Sequence, residues 1–420
     1  MTRPRVAVIG GGPAGLSAAL AVATAGAETT LIDEHPILGG RLRYRRTPVA
    51  TTDGHLLDPA ELIRQLVAAA EAAGVVLWPR VTAWAHFPGQ GLALAGPDAP
   101  VELVVDRVIL ATGSTDRPYP FPGGSLPGVF SARAMQLLLN HYHVRPGRRF
   151  VVIGDGPESA ELVADIAAAD GKTVAVVDGT PPGMTLTAEG SSGVERVTID
   201  GVTIETDTVV VALGRQPDAD LARLAGAEVA WRAAAGGQIV VHAAGGETSA
   251  PHIFVTGDAA GVTDNTTALS RGQMTGLAVA ATLSLIDAND SRLVTARSLA
   301  GAWSCAGTEE PDRRSAAPSS ARGEDASEGT QPETGGSELL CRCEEISTAM
   351  VLHAIEAGAQ SINDVKRRTH AGMGTCQGCF CTSLIATLLH RHAAIPRSSI
   401  DPMTSRPPVR LVPLERLAGR

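Results

Sequence analysis

The chain has 420 residues, enough for two or three domains of about 100–200 residues. Apolar residues make up 44% and charged residues 19%, which excludes a largely disordered chain, and a net charge of −9 excludes a broad nucleic-acid surface. No apolar run reaches the roughly 18 residues of a membrane span.

Residues 5–9 (RVAVI) predict a short buried strand. GGGPAGLSAALAVATAGA then predicts a glycine turn opening a small-residue helix, and TTLIDE predicts a second strand ending in an acid. Arg3 and Arg5 ahead of an apolar stretch imitate a signal peptide, but the glycines belong to the turn. In Gly10-x-Gly12-x-x-Gly15, the first glycine permits the tight turn and the second lets the backbone approach a pyrophosphate. The third lets helix and strand pack closely. Pro13 and Ala14 complete the turn, and a phosphate would rest on the helix's first amides and its positive dipole end. Asp33 lies 23 residues after Gly10, where a carboxylate accepts hydrogen bonds from ribose hydroxyls; Glu34 is the neighbouring candidate.

Three further features point to FAD rather than NAD. Gly40 and Arg41, after Gly39, form a second flexible turn, and residues 108–113 form a strand ending in Ala111-Thr112-Gly113. Thr256-Gly257-Asp258 places an acid after another strand, followed by a helix-like stretch to about Asp287. Asp258 could equally cap that helix.

A second strand–turn–helix–strand unit runs from residue 150 (FVVI) through Gly154, Gly156 and Ser159 to Asp178. Asp178 would favour NAD over NADP. Yet only 31 residues separate Asp178 from Val209, against 75 between Asp33 and Val108, and residues 179–193 look loop-like. Glu158 faces the phosphate turn unfavourably. The balance is against a working NAD(P) site, leaving a retained structural domain or a site for another nucleotide.

These motifs, over residues 4 to about 288, resemble the two-dinucleotide-domain flavoproteins of the glutathione-reductase and thioredoxin-reductase type. The resemblance implies FAD in the first half, with Asp258 at its ribityl or phosphate region, and NAD(P)H in the second. No CxxC lies near either glycine motif, so their disulfide chemistry is not expected.

Residues 304–338 are rich in Ser, Gly, Pro, Glu and Ala and read as a flexible linker. A helical module follows over 339–393, with helices expected after Ser347, after a capping box at Ser361–Asp364, and from Thr382. Five of the six cysteines crowd it: Cys341, Cys343, Cys376, Cys379 and Cys381. This clustering suggests a metal site in a reducing compartment, the cytoplasm, rather than a disulfide framework. Four thiolates suit a [2Fe–2S] cluster or a structural zinc ion, and a neighbouring flavin favours the redox cluster.

CRCEEIS and DVKRRTHAGMGTCQGCFC resemble the bacterioferritin-associated-ferredoxin-like [2Fe–2S] domain. Relatives with the CQG form pair Cys376 with Cys381, and others use the spacing of Cys376 and Cys379. The expected ligands are Cys341, Cys343, Cys376 and Cys381, with Cys379 the alternative. With the tail SRPPVRLVPLERLA, the whole chain resembles the electron-transfer (α) subunits of heteromeric amino-acid and amine dehydrogenases. D-hydroxyproline dehydrogenase, opine oxidase, archaeal-type proline dehydrogenase and hydrogen cyanide synthase are of this type. There, a separate FAD-dependent β-subunit oxidises the C–N bond and the α-subunit relays electrons to a quinone, ferredoxin or other acceptor.

The expected fold is α/β, with two Rossmann-like domains, the second inserted and shortened, plus a small helical [2Fe–2S] domain. The expected boundaries are 1–120 and 251–300 for FAD, 121–250 for the second nucleotide domain, and 394–420 for an extended tail. No catalytic side chain stands out: His35, His55, His86, His141 and His143 show no partner pattern, and Arg43, Arg45 and Arg46 form a basic patch that reads first as solvated charge and second as a holder of cofactor phosphates. A self-sufficient NAD(P)H:acceptor reductase is the alternative enzyme, and a cluster-bearing sensor or assembly factor the non-enzymatic one. The substrate, stoichiometry and terminal acceptor are not written in these residues.

Overall fold

Alternating apolar residues on the first strand set the architecture. In the computed structural model, Val6 and Val8 face one side of a sheet and pack with Leu16, Val22 and Val279. Ala7 and Ile9 face the other and pack with Leu94, Leu110 and Met274. The structure describes every residue except 1, 88, 90, 98, 155, 178, 180–183, 301–335 and 418–420. Asp178 and nearly all of the expected linker, with the sixth cysteine, Cys305, therefore lie outside the described residues.

The described chain divides into two units. Among the described residues, the first comprises 2–114, 216–300 and 405–417, and the second 115–215 and 336–404. The first holds a five-stranded parallel sheet in the order Ile253–Val255, Arg107–Leu110, Arg5–Ile9, Glu28–Asp33, Val76–Pro79. Val8 pairs with both Leu31 and Ile109 at its centre. Helix Pro13–Thr24 starts with Pro at its first position, where no amide is needed, and Asp264 caps helix Asn265–Thr282 through the Thr267 amide at 2.9 Å. Small residues let these two helices approach closely; a Cβ on Gly272 would meet the Ala14 carbonyl at 2.2 Å. An antiparallel sheet of Thr82–Phe87, Gly91–Ala95 and Glu102–Leu103 completes this part.

Residues 216–250 belong to this unit, not to the second domain where the expected boundary put them. Leu221 and Val240 are buried in the same core as Ile9, Leu110 and Val255. The tail joins it too: Val409 is buried there and its amide donates to the Trp84 carbonyl at 2.9 Å.

The second unit has a four-stranded parallel sheet in the order Val129–Ser131, Thr208–Val211, Arg149–Ile153, Lys172–Val177. Phe150 and Val152 pack on Leu162 and Ile166 of helix Pro157–Ala168. Val151 and Ile153 pack on Leu186 and Val197. The latter belong to an antiparallel sheet of Leu186–Glu189, Arg196–Ile199 and Val202–Glu205. The expectation of a loop over 179–193 therefore fails at 186–189. This antiparallel sheet occupies the interval that is too short for another strand–helix–strand unit.

The cysteine module forms part of the second unit. A short pairing of Leu339–Cys341 with Ile346–Ser347 leads to helices Thr348–Glu356, Ile362–Thr369 and Thr382–Ala393. Ser347 caps the first through Met350, and Ser361 caps the second through Asp364 at 3.1 Å. Only that arm of the expected capping box is seen; the Asp364 carboxylate accepts from Arg368 instead. Ile400 and Met403 are buried in the module's core, so it extends past residue 393 into the expected tail.

Candidate cofactor sites

The first glycine turn is clamped between three strands. Gly10 N–H donates to the Ile32 carbonyl at 2.8 Å, and Ala111 N–H donates to the Ile9 carbonyl at 2.8 Å. A Cβ on Gly10 would meet the Ala111 carbonyl at 2.2 Å, and one on Gly15 would meet the Gly10 carbonyl at 1.8 Å. On Gly12 it would meet only Gly40 Cα, at 3.8 Å. Two glycines thus serve packing, and the third leaves open approach. No side chain caps helix Pro13–Thr24, so its first amides are left for an anion.

Asp33 is buried against this turn. Its Oδ2 accepts from the Gly11 amide at 2.6 Å, and its Oδ1 accepts from the His35 amide at 2.8 Å and faces His35 Nδ1 at 3.0 Å. Burial pushes this carboxyl up, but the hydrogen bonds of His35 and Gly11 outweigh it and hold it below the usual range. His35 therefore does have a carboxylate partner, which sequence spacing did not suggest. Glu34 points to solvent.

The Gly39–Gly40 turn presses on the glycine loop: Gly39 N–H donates to the Gly11 carbonyl at 2.7 Å. Arg41 lies over the Tyr44 ring at 5.9 Å, and Arg43 Nε donates to the Gly40 carbonyl at 2.9 Å. Arg43 thus holds its own turn instead of standing as solvated charge.

Asp258 does not cap the long helix, a role taken by Asp264. Its Oδ2 accepts from Ser114 Oγ at 2.6 Å and its Oδ1 from the Thr263 amide at 3.1 Å. Gly257–Ala260 is a short 3-10 turn just after the strand. Thr112 Oγ1 donates to the Asp218 carbonyl at 2.7 Å, while the Asp218 amide donates to Gly113 at 2.9 Å. Ser114 and Asp218 escaped the sequence reading; only the position of Ser114 beside Ala111-Thr112-Gly113 hinted at it. Open helix amides, an approachable Gly12 and two ordered carboxylates fit the pyrophosphate and hydroxyl groups of FAD.

The second turn repeats the first. Gly154 N–H donates to the Val177 carbonyl at 2.9 Å, and Ala212 N–H donates to the Ile153 carbonyl at 2.7 Å. Gly156 is the uncapped N-terminal flank of helix Pro157–Ala168, with Glu158 in its first turn. Ser159, in place of the third glycine, is buried and donates to the Ala212 carbonyl at 3.4 Å.

In the module, Cys341 and Cys381 are buried, Cys376 is half-buried, and Cys343 and Cys379 are exposed. The fold pairs the Cys341 and Cys381 thiols, and those of Cys343 and Cys376. The Cys381 contact holds Cys341 down to about 5 against the push of burial, helped by the Gly372, Glu344 and Cys343 amides. The same contact, then burial, pushes Cys381 up. The Cys376 amide foremost holds Cys343 down, while burial foremost pushes Cys376 up. Gly372 N–H donates to Cys341 Sγ at 3.5 Å and Thr375 Oγ1 to Cys343 Sγ at 3.8 Å. Two thiol pairs with donors aimed at sulfur suit a two-iron cluster, whose ligands must lose their protons. Among the described residues, no three His, Cys, Asp or Glu side chains gather around a single-ion position.

Fold and sites define a two-domain flavoprotein oxidoreductase that carries FAD and a [2Fe–2S] cluster. Residues 4–189 and 183–282 match the pyridine nucleotide-disulphide oxidoreductase family, and residues 339–391 match the BFD-like [2Fe-2S] binding domain. The chain belongs to the pyridine nucleotide-disulphide oxidoreductase family. It is 27% identical to one of the subunits of opine oxidase from Agrobacterium tumefaciens, over 98% of this chain and 90% of that protein. It is 25% identical to the HcnB subunit of hydrogen cyanide synthase from Pseudomonas aeruginosa, over 95% of this chain and 97% of that protein. The fold matches L-proline dehydrogenase from P. horikoshii with TM-score 0.80 and 24% identity, covering 99% of this chain and 79% of that one. Among the described residues, no helix is long and apolar enough to cross a membrane.

Proposed function

We propose that this chain is the electron-relay subunit of a heteromeric dehydrogenase. Its partner, an FAD-dependent β-subunit, oxidises an amino acid, imino acid, opine or secondary amine. The observation that carries this reading is the presence of two cofactor cradles in one chain, with the carboxylates of the flavin cradle engaged by protein donors. Asp33 and Asp258 are ordered by amides and by Ser114, which suits holding a cofactor better than abstracting a substrate proton. The similarity to single subunits of opine oxidase and hydrogen cyanide synthase supports the same assembly.

The flavin cradle comprises Gly10, Gly12, Pro13, Ala14, Gly15, Asp33, Gly40, Arg41, Ala111, Thr112, Gly113, Gly257 and Asp258, with Glu34 at its rim. The cluster is held by Cys341, Cys343, Cys376 and Cys381, and Cys379 is the alternative. When bound, FAD exchanges electron pairs for single electrons and the cluster passes single electrons on. The terminal acceptor is a quinone, a ferredoxin or another electron acceptor. Five cysteines crowded into one module, rather than spread through the chain as a disulfide framework, suit a reducing compartment, the cytoplasm.

A second reading, a self-sufficient NAD(P)H:acceptor reductase, is favoured by the repeated turn at Gly154 and Gly156. Glu158 and the antiparallel insertion oppose it. An anaerobic absorption spectrum of the isolated chain decides between them. Under the relay reading, NADH leaves the flavin band intact, dithionite bleaches it, and amine substrate bleaches it only with the β-subunit present. Bleaching by NADH alone overturns the relay reading.

A further inference from the structure

The cysteine module contains a cation whose position is fixed by both ligand segments. Arg342 stands between Cys341 and Cys343. Its guanidinium lies over the Phe380 ring, 4.8 Å from the centroid, and Phe380 stands next to Cys379 and Cys381. Arg342 Nη2 also donates to the Gly124 carbonyl at 2.9 Å. A flat cation held by a ring face and a carbonyl has little freedom to swing away.

We propose that Arg342 is a positioning residue that holds one positive charge beside the cluster and raises its reduction potential. The inference rests on the reading that these cysteines carry the [2Fe–2S] cluster. One-electron reduction adds a negative charge to the cluster, so a nearby cation stabilises the reduced form more than the oxidised form. A unit charge held within about 10 Å in partly screened surroundings shifts a one-electron equilibrium on the order of tenfold. The Phe380 ring sets where the charge sits, and the Gly124 carbonyl keeps it from rotating into solvent. A lysine could supply the charge without the planar stack.

The experiment is a redox titration of the full chain, following the cluster by its visible bands and by paramagnetic resonance of the reduced form. Arg342→Gln is expected to lower the cluster's reduction equilibrium constant about tenfold, which is about 59 mV for one electron. Arg342→Lys, which keeps the charge but loses the planar stack, is expected to restore only part of that shift. The flavin equilibrium should be unchanged in both. An Arg342→Gln protein with a full cluster and an unaltered potential overturns the proposal. If the Gln variant takes up no iron, Phe380→Leu carries the test. It keeps every cysteine and the arginine's charge but removes the platform that places that charge, so a fall in the same direction supports the proposal and no shift overturns it. A wild-type chain lacking the cluster spectrum overturns the cluster reading itself, and this inference with it.

Discussion

Arg410, in the C-terminal tail, makes an ion pair with Asp218, whose backbone carbonyl accepts the Thr112 hydroxyl. The last segment of the chain is thereby tied to the turn Ala111-Thr112-Gly113 of the flavin cradle. Neighbouring Val409 is buried in the same core and bonded to the Trp84 carbonyl. An arginine in a tail without periodicity thus supports a cofactor turn some 300 residues earlier in the chain.

Replacing Arg410 with Met leaves the largely buried Asp218 carboxylate without its counter-charge, close to Asp220. Removing one partner of a buried pair costs about 3–5 kcal/mol, and partial exposure of Arg410 reduces this to about 1–3 kcal/mol. Arg410→Met should lower the melting temperature by several degrees and speed FAD loss on dilution. Adding Asp218→Asn should recover part of the stability. Equal melting curves and flavin retention for the wild type and the single variant would count against the tie.

Gly12 and Gly15 should separate binding from folding. A methyl group at Gly12 meets nothing closer than 3.8 Å, and its backbone is extended, so Gly12→Ala should fold with near-native stability. It should bind FAD at least about tenfold more weakly, a loss of about 1.4 kcal/mol, because the backbone can no longer approach the pyrophosphate. Gly15→Ala drives Cβ onto the Gly10 carbonyl and should destabilise the apo-protein by about 1–3 kcal/mol. Calorimetry of the apo-proteins and flavin titration distinguish the two; equal losses of fold stability would contradict the assignment.

Asp33 and Asp220 should give opposite pH responses. The folded state holds Asp33 below its ordinary 3.8, so its stabilisation is present above that pH and is lost as pH falls through the folded value. The melting-temperature gap between wild type and Asp33→Asn should therefore narrow as pH drops below about 4. Burial first, and the Asp218 charge second, raise Asp220 above 3.8. Ionised Asp220 is thus a cost that grows as pH rises through its folded value, and Asp220→Asn should gain relative stability toward neutral pH. A gap for Asp33→Asn that stays constant from pH 7 to pH 3 would refute its half of this argument.

Cys381 and Cys379 should not be equivalent. The buried Cys381 thiol contacts Cys341, whereas Cys379 is exposed. Cys381→Ser should abolish the cluster's visible bands and most bound iron, and Cys379→Ser should keep both. The reverse pattern would assign the site to the Cys376–Cys379 spacing.

Local patterns were legible because local physics makes them. Apolar alternation, the glycine triplet, Pro13 opening a helix, and the crowding of five cysteines each act over a few residues. The sequence by itself therefore determined two strand–turn–helix units, the flavin-type turn and a thiol-rich module. Tertiary structure decided what long-range contacts decide. Residues 216–250 join the first unit because Leu221 and Val240 find their apolar partners there. Ser114 meets Asp258 across 144 positions, and Arg410 meets Asp218 across 192. Cys381 meets Cys341 because Cys381 sits at the buried start of helix Thr382–Ala393, where packing of the module core, not spacing, aims the thiol. Such pairings depend on which buried surfaces fit together, and no short window of residues contains that information.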